Sequence, residues 1–452
     1  MKPFRFRRVV LAAMLSVLIP ALTAMHGAES ESPRRIEQKQ IRQALSALVK
    51  LVRSRYAIAD MAEKTARFLE KNLAAGRYAN FRDPAEFAAA VTSDLQLASG
   101  DRHFRFGFSP ADRKAREASL QKTEEQLKRE REAWLDAIRM TNYGFQEAAI
   151  LPGNIGYIDF RRFQPPELAG DTLLATMAFI ANCDALIIDL RNCSGGHASM
   201  NGYFATFFFA EATKLYDMEF RGDNFTERYR TLDYLPGKKL VDTPLYVLTS
   251  AYTFSGAEAF AYRFQSLKRA TIVGEVTAGG ANAGGVLDVS PFFRVYMPMG
   301  RPVDPKTKTN WEGTGVLPDI QTTALEALTA ARFEALQTLR KSSSDPDAQA
   351  GLDRLITLVQ LEREGLKKDR SDLLRFAGSY GPYAVYLVGG QLRLQAPNRR
   401  PLLLRQLSES IFYSEAQLHV RLEFFLKSDG SVEKLLIDDE EGKNGEFVPQ
   451  PK

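Results

Sequence analysis

Cysteine and histidine are the scarce residues of this chain, two and four among 452. Cys183 and Cys193 flank the strand-like run DALIIDL. Ten residues of strand set their Cα atoms roughly 30 Å apart, against the limit of about 7 Å for a disulfide, so no intrachain disulfide is expected. Neither makes a zinc-type spacing with a histidine, and no metal site is expected. Charge of one sign is also missing. The formal net charge is +5, but Lys2, Arg5, Arg7 and Arg8 supply four of those charges with no acid before Glu29, leaving +1 for the remainder. A nucleic-acid partner therefore finds no basic surface. Long apolar runs are confined to VVLAAMLSVLIPALTAM, which Pro20 interrupts and which is short for a bilayer span of about 20 residues. With the basic start MKPFRFRR before it and small residues around Ala24, it predicts a signal peptide over 1–24 and export to the periplasm or the extracellular space. No stable membrane insertion is expected after its removal. Internal repeats and low-complexity tracts are absent.

What is present is an ordinary globular composition, 45% hydrophobic and 25% charged, in a chain long enough for about three folding units. Helix-favouring runs such as QALSALVKLV and DPAEFAAAVTSDLQLA predict an N-terminal helical bundle over 33–110. It ends in HFRFGF, a strand with Phe104, Phe106 and Phe108 on one face. Residues 111–149 carry a highly charged connecting helix, 113–139. From 150 to 325 short apolar strands (IGYIDF, DALIIDL, LYVLTS, ATIVGE) alternate with helical segments, the pattern of an α/β core. Residues 326–370 are helical and polar. In 371–452, hairpins turning at Gly389-Gly390 and at Asp429-Gly430 predict a small antiparallel β domain. The expected fold is thus multidomain α/β.

The stretch TSAYTFSGAEAFAYRF, Thr249 to Phe264, passes from a strand into a helix. Ser255 and Glu258 form a Ser-x-x-Glu capping box, so Ser255 is either a helix cap or a nucleophile. A nucleophile needs a base and oxyanion donors. Two further loops leave strands of the same region. DLRNCSGGHA holds adjacent glycines, which allow backbone N–H groups to point at an oxyanion. GEVTAGGANAGG lacks the Gly-Lys-Ser/Thr ending of a phosphate loop.

DLRNCSGG, VLTSAYTFSGAEAFAY, RATIVGEVTAGG and PMGRPVDPKTKTNWEGTGVLPD occur in that order. Together they resemble the C-terminal processing peptidase family of tail-specific serine proteases, in its branch similar to tricorn protease and interphotoreceptor retinoid-binding protein. The resemblance covers roughly residues 95–325. It implies a ββα spiral core of the crotonase and Clp-protease kind, with Ser255 as the acylating nucleophile. It also implies an oxyanion hole from the N–H of Gly256 and one from Gly195 or Gly196.

One branch of that family takes its base, a lysine, from the loop that here reads VTAGGANAGG. The matching position is Gly280, and the loop has no lysine. Lys268 lies 13 residues beyond Ser255, about 20 Å along a helix. A histidine base remains. His26 falls at the signal cleavage region and His419 on a β surface. The tricorn-like branch carries its base in a motif resembling SGDRHFRF, which points to His103, with His197 as second choice. The same resemblance implies that Glu312, in NWEGTGVLPD, orients the imidazole. Where that branch has a serine before the histidine this chain has Arg102, and Asp101 is a local alternative to Glu312.

A PDZ domain usual in family members that read polypeptide C-termini is missing between the helical start and the core. The C-terminal β region resembles a small barrel-like module appended to some secreted serine hydrolases. The expectation is an exported serine peptidase acting on polypeptides, with no cofactor. The alternatives are a non-catalytic binding protein for an apolar ligand, or a small-molecule esterase. The sequence carries no signal of oligomeric state.

Overall fold

The computed structural model describes residues 35–109, 123–364 and 370–450, apart from 398, 407, 415–419 and 439–444. The expected signal peptide (1–24), His26, His419 and the first part of the charged helix lie outside the described residues.

Three helices open the fold: α1 (Gln38–Arg55), α2 (Ala59–Ala74) and α3 (Pro84–Ser99). On α1, Ile41, Ala44, Leu45, Leu48, Val49 and Val52 are buried, the spacing of a one-sided helix. On α3, Asp83 accepts from the N–H groups of Ala85 and Glu86, Pro84 sits in the first turn, and Gly100 ends the helix in the left-handed region at φ 73°. That C-cap turns the chain so that Asp101 and His103 follow at once, ahead of strand β1 (Arg105–Phe108). Phe104 and Phe106 are buried in the helical core. Each contributes about 1.5–3 kcal/mol by leaving water, enough to anchor the two residues just before them. Helix α4 (Glu124–Arg139) follows, capped by Thr123, with Ile138 its buried residue.

The core strands are β2 (Phe145–Leu151), β3 (Ile155–Phe160), β4 (Ala185–Asp189), β5 (Lys214–Phe220), β6 (Phe225–Arg230), β7 (Leu245–Thr249), β8 (Thr271–Gly274), β9 (Ala283–Ser290), β10 (Phe293–Val303) and β11 (Ile320–Gln321). Helices α5 (Pro166–Phe179), α6 (Ala198–Ala205) and α7 (Gly256–Ser266) connect them. One sheet runs β11-β8-β7-β4-β3-β2, with β7, β8 and β11 parallel. Its strands β3, β4 and β7 are almost wholly apolar and buried, as strands covered on both faces require. The other sheet runs β1-β10-β5-β6, with β9 also paired to β10. Val289, Phe293, Val295 and Met297 of β9 and β10 share one core with α1–α3, so the helices are part of the core rather than a module beside it.

The chain divides into two compact units. The break falls between Ala327 and Leu328, and Ile150–Gly156 and Cys183–Leu186 group with the later unit. The later unit contains α8 (Ala327–Ser342), α9 (Pro346–Glu364) and eight short strands in sequential antiparallel order between Gly378 and Phe447. A bridge between Tyr380 and Pro449 brings the last strand back toward the first, so the sheet is nearly closed into a barrel. Gly389 and Gly390, at φ 61° and 76°, make the tight turn expected of a two-residue hairpin. Cys183 and Cys193 are free and buried.

Candidate active site

Three loops leave neighbouring strands of the six-stranded sheet: 190–197 after β4, 250–255 after β7 and 275–282 after β8. The first two are laced together. Ser250 Oγ donates to Arg191 O at 2.6 Å, Thr253 Oγ1 to Leu190 O at 2.8 Å, and Phe254 N–H to Cys193 O at 3.1 Å. Ser255 then sits at φ 55°, ψ −118°. Ser255 closes the expected capping box with Glu258, but a cap ordinarily takes an extended backbone, and a non-glycine residue at positive φ is strained and persists only where its surroundings hold it. That is the backbone of a nucleophile on a sharp strand-to-helix turn.

Glu258 holds the turn. Its buried carboxylate accepts from the N–H groups of Ser255 (2.8 Å), Gly279 (2.6 Å) and Gly280 (2.9 Å) and from Thr277 Oγ1 (2.5 Å). Burial raises its pKa and these donors oppose the rise. The capping-box reading thus caught one of four contacts.

Gly195, Gly196 and Gly256 converge on Ser255. A Cβ on Gly195, at φ 86°, would lie 2.5 Å from Gly256 N and 3.0 Å from Ser255 Cβ. A Cβ on Gly256 would lie 3.1 Å from Gly196 N. Phe163 N–H donates to Gly195 O at 3.0 Å, and Phe163 O accepts from His197 N–H at 2.7 Å, which fixes the loop. The N–H groups of Gly196 and Gly256 meet no acceptor among the described residues.

His103 reaches this centre from the edge of the antiparallel sheet. Its ring lies 4.4 Å from that of Phe254, the residue before Ser255, and 6.4 Å from that of Tyr296. Asp101 Oδ1 faces His103 Nδ1 at 3.3 Å and accepts from the His103 N–H at 2.9 Å. Asn282 Nδ2 (2.9 Å) and Tyr56 OH (3.3 Å) donate to Asp101 Oδ2. His103 Nε2 is buried without a partner, so no hydrogen bond joins it to Ser255 Oγ.

Glu312 belongs to the same group. Its Oε2 accepts from the N–H groups of Ala281 (2.6 Å) and Asn282 (2.9 Å), while its Oε1 has no partner. Burial, and then the charge of Asp101, push its pKa up to about 8 against those two donors. Asp101, His103 and Glu312 place donor atoms within 4.8 Å of one another. A cation could be held there, yet both Asp101 oxygens are already engaged by donors of the protein itself.

Gly280 explains the missing lysine. A Cβ there would collide with Phe254 and lie 2.7 Å from His103 Cε1, so the two rings occupy the space that a longer side chain would need. His197, the second histidine, caps α6 through its Nδ1, 2.6 Å from Ser199 Oγ, and is exposed. The sequence reading did not single out Tyr56, Asn282, Phe254 or Tyr296. Asn282 stood in the quoted GGANAGG, but nothing local said which way it faced.

Residues 154–322 match peptidase family S41, and residues 37–139 match the N-terminal domain of peptidase S41 in eukaryotic IRBP. The chain belongs to peptidase family S41. The two segments cover more than half of it and include Ser255, His103, Glu312 and the three glycines. Among solved structures, this S41 chain resembles a putative peptidase from Parabacteroides merdae, at 17% identity over 63% of this chain and 90% of that one, TM-score 0.43. It also resembles the photosystem II D1 C-terminal processing protease, at 17% identity over 64% and 96%, TM-score 0.40. Tricorn protease matches at 18% identity over 50% of this chain and 19% of its own length, TM-score 0.27. These likenesses are distant, and the assignment rests on the two matched segments. The family supports a serine peptidase. No helix among the described residues is long and apolar enough to cross a membrane.

Proposed function

We propose that this S41 member is an exported serine endopeptidase that cleaves polypeptides through an acyl-enzyme on Ser255, with His103 as base. The observation that carries the reading is the positive-φ backbone of Ser255 with the unpaired N–H groups of Gly196 and Gly256 beside it. Ser255 Oγ attacks the peptide carbonyl and its proton passes to His103 Nε2. The N–H groups of Gly256 and Gly196 hold the oxyanion, each such donor lowering the barrier by roughly 3–4 kcal/mol. His103 returns the proton to the leaving amine, and water then hydrolyses the acyl ester by the reverse route. Nδ1 of His103 faces Asp101, which stabilises the imidazolium and fixes its ring. Glu312, protonated up to about pH 8, backs this network rather than carrying the charge. The Ser255–His103 hydrogen bond forms when substrate closes the site, a tightening common in unliganded enzymes.

The test uses mature protein beside Ser255→Ala and His103→Ala variants with matched melting curves. A fluorophosphonate probe is expected to label Ser255 in the unmodified protein, and an unstructured protein to be cut. Each variant should lose about 10⁴-fold or more, and the double variant little beyond that, because the pair acts as a unit. Activity surviving His103→Ala alone would move the base elsewhere. A folded, unlabelled protein that cuts neither peptide nor ester would instead favour binding of an apolar ligand, and ester turnover without peptide cleavage an esterase.

A further inference from the structure

Arg162 stands at this site without an anionic partner. Its neighbour Arg161 is engaged by Asp159, whereas the part-buried Arg162 donates from Nη1 to Ser194 Oγ at 2.8 Å. Among the described residues no carboxylate pairs with it, which leaves most of its N–H donors unused. Its place is fixed from both sides. Gly144 lies at φ 97°, where a Cβ would collide with the Arg162 backbone. The next residue, Phe163, bridges to Gly196.

The guanidinium therefore meets the glycine loop one residue before Gly195, itself packed on Ser255. Its charge is also felt at Cys193 and Tyr296. Burial raises both the Cys193 thiol, to about 12, and the Tyr296 phenol; the charge of Arg162 opposes both rises, second to the N–H of Gly195 at Cys193 and weaker than that of Gly284 at Tyr296. Tyr296 is the ring stacked towards His103. One unpaired, preorganised fork thus lies against the glycine loop of the reacting centre. That fork matches a carboxylate in geometry and charge.

We infer that Arg162 is a specificity residue that binds a carboxylate of the substrate within a few residues of the scissile bond. The carboxylate is either an Asp or Glu side chain or the free α-carboxylate of a chain end; at about 3.3 Å per extended residue both fall within its reach. The inference rests on the peptidase reading of the site.

The test compares three kinds of octapeptide built on one apolar sequence: the free acid, the C-terminal amide, and a series of amides with Glu placed at successive positions. Binding is read on Ser255→Ala, turnover on the active protein. The free acid or one Glu amide should bind, and be cleaved with kcat/KM, about 10- to 100-fold better than the neutral amide, most of the change lying in KM. Which of the two gains identifies the source of the carboxylate. In Arg162→Gln the ratio of charged to neutral peptide should fall to about one, while Arg162→Lys keeps part of it. Ser194→Ala, which leaves the guanidinium in place, should keep the ratio well above one. Cleavage with no charge preference, or a preference that survives Arg162→Gln, overturns this inference alone. Charge-selective binding lost in Arg162→Gln, without any cleavage or labelling of Ser255, overturns the peptidase reading and leaves Arg162 as a carboxylate-binding residue only. A protein that neither binds nor cleaves any of the peptides overturns both.

Discussion

The serine side and the histidine side of the site are assembled in opposite ways. On the serine side Ser255 and Gly256 are contiguous, Glu258 is three residues on, and the partner loop places Gly195 and Gly196 against them through backbone bonds. On the histidine side the chain of contacts runs from His103 to Asp101 and then to Asn282, 181 residues away, and Tyr56, 45 residues away. Backbone geometry makes the first; side chains gathered by the fold make the second. A short motif can encode the one, but only the completed tertiary structure encodes the other.

If that contrast holds, then among the residues that support Ser255 and His103 the largest loss should come from the assembled side. Asp101→Asn removes the charge that faces His103 Nδ1 and invites the wrong tautomer, so kcat should fall by about 10³–10⁴. Asn282→Ala should reproduce part of that loss by removing the shorter of the two hydrogen bonds that hold Asp101 Oδ2. The readout is kcat against pH. A loss confined to KM would place Asp101 outside the proton path. Glu312→Gln should cost less than about tenfold near neutral pH, because the native group is already neutral there. Equal losses in Asp101→Asn and Glu312→Gln would break the distinction between the two carboxyls.

The serine side should break through the backbone. Gly195→Ala puts a Cβ 2.6 Å from Phe254 O and 2.5 Å from Gly256 N at a φ of 86°. The loop must move, and one oxyanion donor moves with it. The expected loss is about 10²–10³ in kcat, with about 1–3 kcal/mol of stability lost to the strained conformation. Both are measurable on one preparation. Normal activity in a folded Gly195→Ala protein would remove that loop from the oxyanion hole.

The same contrast explains what was legible. The strand–helix alternation and the tight Gly389-Gly390 hairpin were readable because each depends on residues close in sequence, whereas the meeting of Gly195 and Gly196 with Gly256 came from the resemblance. His103 was found by resemblance alone: a histidine beside a strand reads as solvent-facing, and here it is nine-tenths buried between Phe254 and the Asp101 network. Ser255 read first as a cap, which it is, and only its positive φ set it apart from an ordinary one. Glu258 looked like half a capping box, and its grip on Gly279 and Gly280 could not be seen because it spans 21 and 22 residues. The core that joins α1–α3 to β9 and β10 was likewise hidden, since both partners carry ordinary amphipathic patterns.

The smallest expected effect sharpens the comparison through pH. Glu312 carries a native pKa raised to about 8 from an ordinary 4.5, by burial first and the Asp101 charge second. The native state therefore keeps a proton that the unfolded chain has already released. Its stabilising contribution is complete below about pH 4.5 and drains away as pH climbs through about 8. Glu312→Gln is neutral at every pH and retains an acceptor for the Ala281 and Asn282 N–H groups, so its stability should not show that decline. Burial also raises the pKa of Glu258 and tilts both proteins alike; the difference between the two profiles isolates Glu312. Melting of both proteins from pH 4.5 to 8.5 should therefore diverge, the variant gaining relative stability toward high pH by at most a few kcal/mol. Parallel profiles would mean that Glu312 is already ionised at neutral pH, and the charge facing His103 would then be shared between two carboxylates instead of residing on Asp101.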